Sequence, residues 1–129
     1  MSQCNLKAIS TNKAPKAVGP YSQAIICDNL LFISGQIAIN PLTNELVTDS
    51  FENEVKQILN NIIEILTEAN TSLDNVVKTT VFIKDITKFG IFNEIYGNCF
   101  INNKPARSLV EVSNLPKGVN VEVEVIAKI

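Results

Sequence analysis

The C-terminal part of the chain alternates between branched apolar and polar side chains, and this alternation constrains the fold more than any other feature. Because successive side chains of a β-strand point to opposite faces of a sheet, residues 119–126 are predicted to form a strand with a valine face and a carboxylate face. Residues 106–112 show the same period. We expect the branched face of each strand, including Val110 and Val112, to pack against helices.

An amphipathic helix is predicted upstream, where apolar residues recur at helical spacing from Phe51 to Leu66. Asp49 or Ser50 can cap its start by accepting a hydrogen bond from an unpaired backbone N–H. Asn70 can end it in a left-handed conformation. Asn61 belongs to the predicted polar face of this helix.

A second helix is predicted after Asp85 or Thr87, and its apolar positions are Phe89, Phe92, Ile95, Tyr96 and Cys99. Between the helices, the Val, Thr and Phe residues of the run 76–83 predict a strand. Two apolar runs precede the first helix, at 22–27 and 30–37. Because Asp and Asn tolerate positive φ, the intervening Asp28-Asn29 predicts a two-residue hairpin turn.

These elements follow one another as strand, strand, helix, strand, helix, strand, strand. This order predicts an α+β fold in which two helices pack on one face of a mixed sheet. No linker, repeat or low-complexity tract interrupts residues 1–129, so we expect a single domain.

The helix-free face of the sheet is predicted to be partly apolar as well. Leu30 and Phe32 alternate with other apolar residues, and so do Val76 and Phe82. Two helices cannot cover both faces of one sheet, and exposed apolar patches usually mark interaction sites. A homo-oligomer is therefore expected, and a half-solvated sheet with scattered apolar residues is the alternative.

Composition excludes several classes of site. The chain has no histidine, so Ser-His-Asp and Cys-His catalysis and HExxH metal sites are excluded. A net charge of −2 makes a nucleic-acid partner a poor expectation. No apolar run approaches a membrane span, and residues 1–5 lack the order of a secretory signal, so we expect a cytoplasmic protein without a membrane partner.

The three cysteines, Cys4, Cys27 and Cys99, are widely spaced and form no CxxC pair. Neither a zinc site nor a thioredoxin-like motif is indicated. We expect reduced thiols, with Cys27 and Cys99 filling the core.

Arg107 is the first candidate for binding chemistry, because a guanidinium is a planar fork that matches a carboxylate. The alternation suggests that it shares a sheet face with Glu122 and Glu124, either of which could orient or deprotonate water. Spacing alone favours the alternative in which Arg107 makes an ion pair with Glu111, Glu122 or Glu124. A row of glutamates is also typical of a solvated face.

Two further features border the predicted hairpin. Tyr21 follows Gly19-Pro20 and could cover a ligand, although packing on its own domain is equally consistent with the sequence. Ser34-Gly35-Gln36 interrupts an apolar strand, which indicates either a β-bulge or a backbone approach that could bind an anion.

Five motifs follow one another over nearly the whole chain. They are residues 17–24 (AVGPYSQA), 32–37 (FISGQI), 77–85 (VKTTVFIKD), 105–108 (PARS), and 115–117 (LPK) with 121–124 (VEVE). Each is weak alone, but their conjunction resembles the RidA/YjgF family, also described as the endoribonuclease L-PSP family.

The resemblance implies a chorismate-mutase-like fold of the bacillar type, assembled as a homotrimer with active sites between subunits. It also implies hydrolytic deamination of 2-enamine and 2-imine acids, such as 2-aminoacrylate and 2-iminobutyrate, to 2-keto acids and ammonia. No metal or organic cofactor is expected, and the expected ligands are small 2-imino and 2-keto carboxylates.

Carried over by position, the resemblance implies that Arg107 clamps the substrate carboxylate and that Glu122 holds or activates the attacking water. The other implied pocket residues are Tyr21, Ser34, Gly35 and Asn93. One departure is Leu109, which stands where many relatives have cysteine and makes that wall of the pocket larger and more apolar. The resemblance leaves two other readings open: a non-catalytic carboxylate-binding module, and an RNA endonuclease or translation inhibitor.

Overall fold

A computed structural model describes residues 5–129 of the chain. Its strands are β1 (Leu6–Ile9), β2 (Ala24–Cys27), β3 (Leu30–Gln36), β4 (Ile39–Asn40), β5 (Glu45–Leu46), β6 (Val76–Ile83), β7 (Ala106–Glu111) and β8 (Val121–Lys128). Its two α-helices are α1 (Phe51–Glu68) and α2 (Phe89–Cys99).

Six of the strands form one mixed sheet in the order β1-β2-β3-β8-β6-β7, and β4 pairs with β5 in a separate hairpin. The strands β6 and β7 run parallel, as expected for strands joined by a crossover helix, and every other pairing is antiparallel. Helix α1 packs against β3, β8 and α2. The predicted α+β fold, with both helices on one face of a mixed sheet, is confirmed.

The predicted faces are correct for β8 and wrong for β7. Val121, Val123 and Val125 are buried in the core. On β7, however, Val110 is 44% exposed, whereas Leu109 packs against the core. The parallel register explains the difference, because it places Leu109 beside the buried Val81 and so turns the other face of β7 outward.

Helix α1 begins and ends as predicted. The Ser50 hydroxyl accepts a hydrogen bond from the Asn53 backbone N–H, and Asn70 adopts a φ of 60° after the last turn. The prediction that Asn61 lies on the polar face is wrong, since it is fully buried and its side-chain amide donates to the Ile39 carbonyl at 3.0 Å. Glu54 is also fully buried.

The hairpin turn at Asp28-Asn29 is confirmed by the pairing of Cys27 with Leu30 and by a φ of 56° at Asp28. Two elements were not predicted, the four-residue edge strand β1 and the β4–β5 hairpin. Cys27 is disulfide-bonded, which corrects the expectation of a reduced thiol, while Cys4 lies outside the described residues. Cys99 is a free, half-buried cysteine.

The helix-free face carries an apolar row across its centre, as predicted. Ile25 of β2, Phe32 of β3 and Ile126 of β8 are successive cross-strand neighbours, and Phe32 is 41% exposed. We call this row the open-face belt. Among residues 5–129, neither helix is long and apolar enough to cross a membrane.

Candidate active site

A cleft of about 290 Å³ opens where β3 meets β8 and the N-terminal loop. Four of the predicted site residues lie together in its wall: Tyr21, Ser34, Gly35 and Glu122. We call it the Glu122 cleft. Lys16 and Lys117 also contribute to its lining, although neither was among the predicted site residues.

A β-bulge builds the floor of the Glu122 cleft. The register places Ile33 opposite Val125 but Gln36 opposite Val123, so Ser34 and Gly35 together face a single residue of β8. The bulge reading of the Ser-Gly-Gln motif is thereby confirmed. The Ser34 hydroxyl donates to the Ser22 carbonyl at 2.6 Å, which fixes its side chain against the N-terminal loop.

Gly35 is required by its contact with Glu122. A Cβ added to Gly35 would overlap the Glu122 Oε2 atom and lie 2.9 Å from Cδ. The carboxylate therefore rests directly on the glycine backbone. Partial burial raises the pKa of the Glu122 carboxyl above its ordinary value, and the charge of Glu124 raises it further. A carboxylate with a raised pKa is better matched to proton transfer near neutral pH.

The loop that carries Tyr21 is held by the buried side chain of Gln23. Its amide nitrogen donates to the carbonyls of Pro15 and Thr11, at 2.7 and 3.0 Å, and its oxygen accepts from the Thr11 N–H at 2.7 Å. Tyr21 itself is half exposed. Sequence reasoning missed Gln23 as a support of the site, although it follows Tyr21 by two residues within the GPYSQA motif.

Arg107 lies on the other face of the sheet from Glu122, which corrects the prediction that they share one. Arg107 is paired with Thr79, and Thr79 is paired with the buried Val125. Glu122 is paired with Phe82, whose side chain points to the helix-free face. The error came from aligning two strands by their alternation alone, because their relative register depends on β6, which lies between them.

The Arg107 guanidinium lies on aromatic rings of α2. Its central carbon is 5.0 Å from the ring centroid of Tyr96 and 5.9 Å from that of Phe92. Within residues 5–129 it makes no ion pair, so the predicted alternative of a bond to Glu111, Glu122 or Glu124 is wrong. An exposed guanidinium with no anionic partner keeps its N–H donors for a ligand.

The two remaining predicted site residues lie on the helix side of the sheet with Arg107. Leu109 follows Arg107 on the same face of β7 and is partly buried against the core. Asn93 follows Phe92 on α2, and its Oδ1 atom is buried without a hydrogen-bond partner among the described residues. A buried acceptor without a donor is costly, so this atom is suited to receive a donor from a ligand or a neighbouring chain.

The predicted residues therefore fall into two half-sites on opposite faces of one sheet. The Glu122 cleft supplies a carboxylate, and the region around Arg107 supplies a cation and an unsatisfied acceptor. No cluster of metal-ligating side chains occurs in the described part of the chain. What the arrangement can do chemically is hold a small anion on one half-site and move a proton on the other.

The chain is similar to known proteins over nearly its whole length. A family model described as Endoribonuclease L-PSP matches residues 11–129. A 2-iminobutanoate/2-iminopropanoate deaminase of Rattus norvegicus is 48% identical, over 98% of this chain and 93% of its own. A RutC family protein of Pyrococcus abyssi is 50% identical, over 94% and 95%. The crystal structure of YyfA, a Rid family protein of Yersinia pestis, superposes with a TM-score of 0.95 at 48% identity, covering 97% and 100%.

Proposed function

The chain belongs to the Endoribonuclease L-PSP family, and from this premise we propose that it hydrolyses small 2-imino acids and their enamine tautomers to 2-keto acids and ammonia. Support comes from mammalian relatives, 47–48% identical over nearly the whole chain, that are named 2-iminobutanoate/2-iminopropanoate deaminases. The named substrates are small carboxylates with an electrophilic C=N bond, and they suit a site with one free cation and one carboxylate.

The observation that carries the proposal is the state of Arg107. It is the only arginine of the chain, and its guanidinium is exposed and free of ion pairs within residues 5–129. A guanidinium in that state can bind a substrate carboxylate through two parallel N–H···O bonds. Fixing the carboxylate also fixes the adjacent imine carbon, which is the atom that water attacks.

Glu122 is proposed as the group that moves the proton. Water adds to C2 of the imine as Glu122 takes a proton from it and returns that proton to the imine nitrogen, and the product is a carbinolamine. Glu122 then takes the proton of the carbinolamine hydroxyl and delivers it to the amino nitrogen, the C–N bond breaks, and ammonia leaves as the C2 oxygen becomes the keto group. The reaction consumes one imine and one water and releases one keto acid and one ammonia, with no change in oxidation state.

Assembly of the full site requires a second copy of the chain in this proposal. Arg107 and Glu122 point to opposite faces of one sheet, so a single chain does not bring them to one substrate. The open-face belt offers an apolar surface on which another copy can dock. A homotrimer would then join the Arg107 of one chain to the Glu122 cleft of its neighbour, with Tyr21 and Gly35 in the wall.

A coupled assay tests the proposal. A threonine dehydratase generates 2-iminobutanoate in solution, and the appearance of 2-oxobutanoate is followed with and without this protein. We expect faster release, and a loss of roughly 10- to 150-fold in kcat/KM for Arg107→Ala, the equivalent of one charge-assisted hydrogen-bond contact. Lys56→Ala, which removes an exposed cation from α1, is the charge-matched control and should behave as wild type.

Three results would redirect the proposal. Equal rates for wild type and Arg107→Ala would remove Arg107 from the site. Saturable binding of 2-oxobutanoate without acceleration would favour a carboxylate-binding module. Cleavage of a defined RNA that is lost in Arg107→Ala would favour the nuclease activity named in the family description, despite a net charge of −2.

A further inference from the structure

We infer that Tyr96 is a positioning residue for Arg107, and that Thr79 fixes Tyr96 in this role. The inference rests on the proposed function, because it assigns the aromatic support of the arginine that would bind the substrate carboxylate. Neither Tyr96 nor Thr79 was among the predicted site residues. We call Thr79, Phe92, Tyr96 and Arg107 the Arg107 cluster.

The Tyr96 ring is fixed at its hydroxyl end. Its oxygen lies 2.8 Å from the Thr79 hydroxyl in a buried hydrogen bond. Thr79 is fully buried, and Tyr96 is only 7% exposed. Because both groups are out of water, loss of either partner leaves a buried polar atom unsatisfied. The bond therefore holds one defined orientation of the ring rather than one of several.

Thr79, which anchors the Tyr96 ring, is also the cross-strand neighbour of Arg107. Thr79 and Arg107 are paired across the parallel strands β6 and β7 and point to the same face. The strand pairing fixes the backbone of Arg107, and the hydrogen bond fixes the ring that its side chain reaches. Thr79 of β6 therefore positions both ends of Arg107: the backbone through the strand pairing, and the guanidinium through the Tyr96 ring.

The guanidinium packs on the ring rather than on an acid. Its carbon is nearer to the Tyr96 centroid, at 5.0 Å, than to the Phe92 centroid, at 5.9 Å. A ring face holds a guanidinium by cation–π attraction while leaving its in-plane N–H donors open. A carboxylate partner would hold it equally well but would occupy those donors. The Tyr96 ring thus orders Arg107 without competing with an anionic ligand.

The alternative is that Tyr96 has only a structural role, in which its ring packs in the hydrophobic core beneath α2. Tyr96 also packs on Phe100, with ring centroids 4.5 Å apart, and Phe100 is 2% exposed. A purely structural role predicts that Tyr96 and Phe100 substitutions behave alike. Phe100→Leu is therefore the matched control, since Phe100 belongs to the same stack but makes no cation–π contact with Arg107 in the described residues.

The first test observes the guanidinium directly and does not depend on catalysis. Because Arg107 is the only arginine, a ¹H–¹⁵N spectrum contains one arginine Nε–H signal. In the folded wild type we expect this signal to be displaced from the position of a free arginine by the ring beneath it. Tyr96→Leu should return it toward that position, whereas Phe100→Leu should leave it displaced. A signal that Tyr96→Leu does not move overturns the inference.

The second test measures binding of 2-oxobutanoate by calorimetry at a temperature where every variant is folded. We expect Tyr96→Leu to weaken binding roughly 3- to 30-fold, the range of a partly desolvated cation–π contact. Thr79→Val should weaken it less, and Phe100→Leu should leave it unchanged. Because Tyr96 acts through Arg107, adding Tyr96→Leu to Arg107→Ala should produce no further loss. Additive losses would show a structural role and overturn the inference.

The two tests separate failure of this inference from failure of the proposed function. If wild type binds 2-oxobutanoate and accelerates imine hydrolysis while the Tyr96 variants match it, the function stands and the positioning role is overturned. If wild type neither binds the keto acid nor accelerates hydrolysis, the proposed function fails, and with it the role of Tyr96 in substrate binding.

Discussion

At the scale of single residues, the contact between Gly35 and Glu122 shows how a bulge creates a site. The bulge brings the Gly35 backbone beneath the carboxylate, and the missing Cβ provides the space that the carboxylate occupies. A glycine inside a strand costs conformational entropy and side-chain packing. At Gly35 the absent side chain leaves the space in which the Glu122 carboxylate lies.

Gly35→Ala is expected to displace Glu122 while the fold survives. The new Cβ meets the end of a flexible side chain, so the Glu122 side chain can rotate away at a cost of about 1–3 kcal/mol for overpacking. We expect kcat for imine hydrolysis to fall more than tenfold, measured in the coupled dehydratase assay. Gly97→Ala on α2 meets nothing within 4 Å and should retain full activity. An active Gly35→Ala would argue against a precise position for Glu122.

Glu122→Gln is expected to slow turnover and to change the pH dependence of stability. Burial raises the pKa of Glu122 in the folded state above its ordinary value of 4.5. The folded protein therefore binds more protons than the unfolded chain in this pH range. The contribution of Glu122 to the free energy of unfolding falls as the pH rises from 4.5 to the raised pKa. Glutamine does not titrate, so the variant has no such loss. The Tm of Glu122→Gln relative to that of the wild type should therefore rise across this pH range and then level off. Thermal unfolding from pH 4 to 8 checks this, and a constant difference would contradict it.

At the scale of elements, the start of α1 is joined to the start of β8 by a buried carboxylate. Glu54 accepts hydrogen bonds from the backbone N–H and the side-chain amide of Asn120, each at 2.8 Å. Asn120 precedes Glu122 by two residues and follows the turn that carries Lys117. Glu54 therefore fixes the chain where it enters the strand that carries Glu122.

Glu54→Ala is expected to destabilise the fold by about 2–4 kcal/mol, because it leaves two donors of Asn120 unsatisfied next to a new cavity. Urea unfolding measures the loss. Glu52→Ala removes an exposed carboxylate from the same helical turn and should change stability by no more than about 0.5 kcal/mol. Equal effects of the two substitutions would show that the bond to Asn120 contributes little.

At the scale of the whole molecule, the sheet separates the two half-sites. The helix side carries Arg107, Leu109 and the aromatic residues of α2, and the helix-free side carries Glu122 and the open-face belt. A symmetric ring of copies can bring opposite faces of neighbouring chains together, because each interface in such a ring joins two different surfaces of the chain.

Complementation between inactive variants is the expected consequence. If each site combines Arg107 of one chain with Glu122 of another, mixing Arg107→Ala with Glu122→Gln chains restores sites in which both residues are intact. In randomly mixed cyclic assemblies about one site in four is of this kind. We expect co-expressed variants to recover about a quarter of wild-type turnover in the coupled assay. No recovery would contradict a site that combines the Arg107 of one chain with the Glu122 of another.

The fold was largely predictable from the sequence, because most of its elements have their own local signal. Helical spacing, the Ser50 cap, the Asn70 terminus and the Asp28-Asn29 turn were each visible in a few neighbouring residues. The candidate site residues were also identified from sequence motifs, and four of them meet in one cleft. The edge strand β1 was missed because only Ile9 of its four residues is buried, so the strand shows no alternation between a buried face and a solvent face.

Amino-acid type and spacing alone determined both helices, the strands β2, β3, β6, β7 and β8, and which side of β8 faces the core. Tertiary structure decided the features that local sequence patterns do not encode. The parallel pairing of β7 with β6 set the face of Arg107, and the packing of α2 placed Tyr96 beneath its guanidinium. The polar positions of Glu54 and Asn61 became buried because distant backbone groups satisfy them. Register and long-range hydrogen bonding depend on which segments meet, and no short stretch of sequence specifies that.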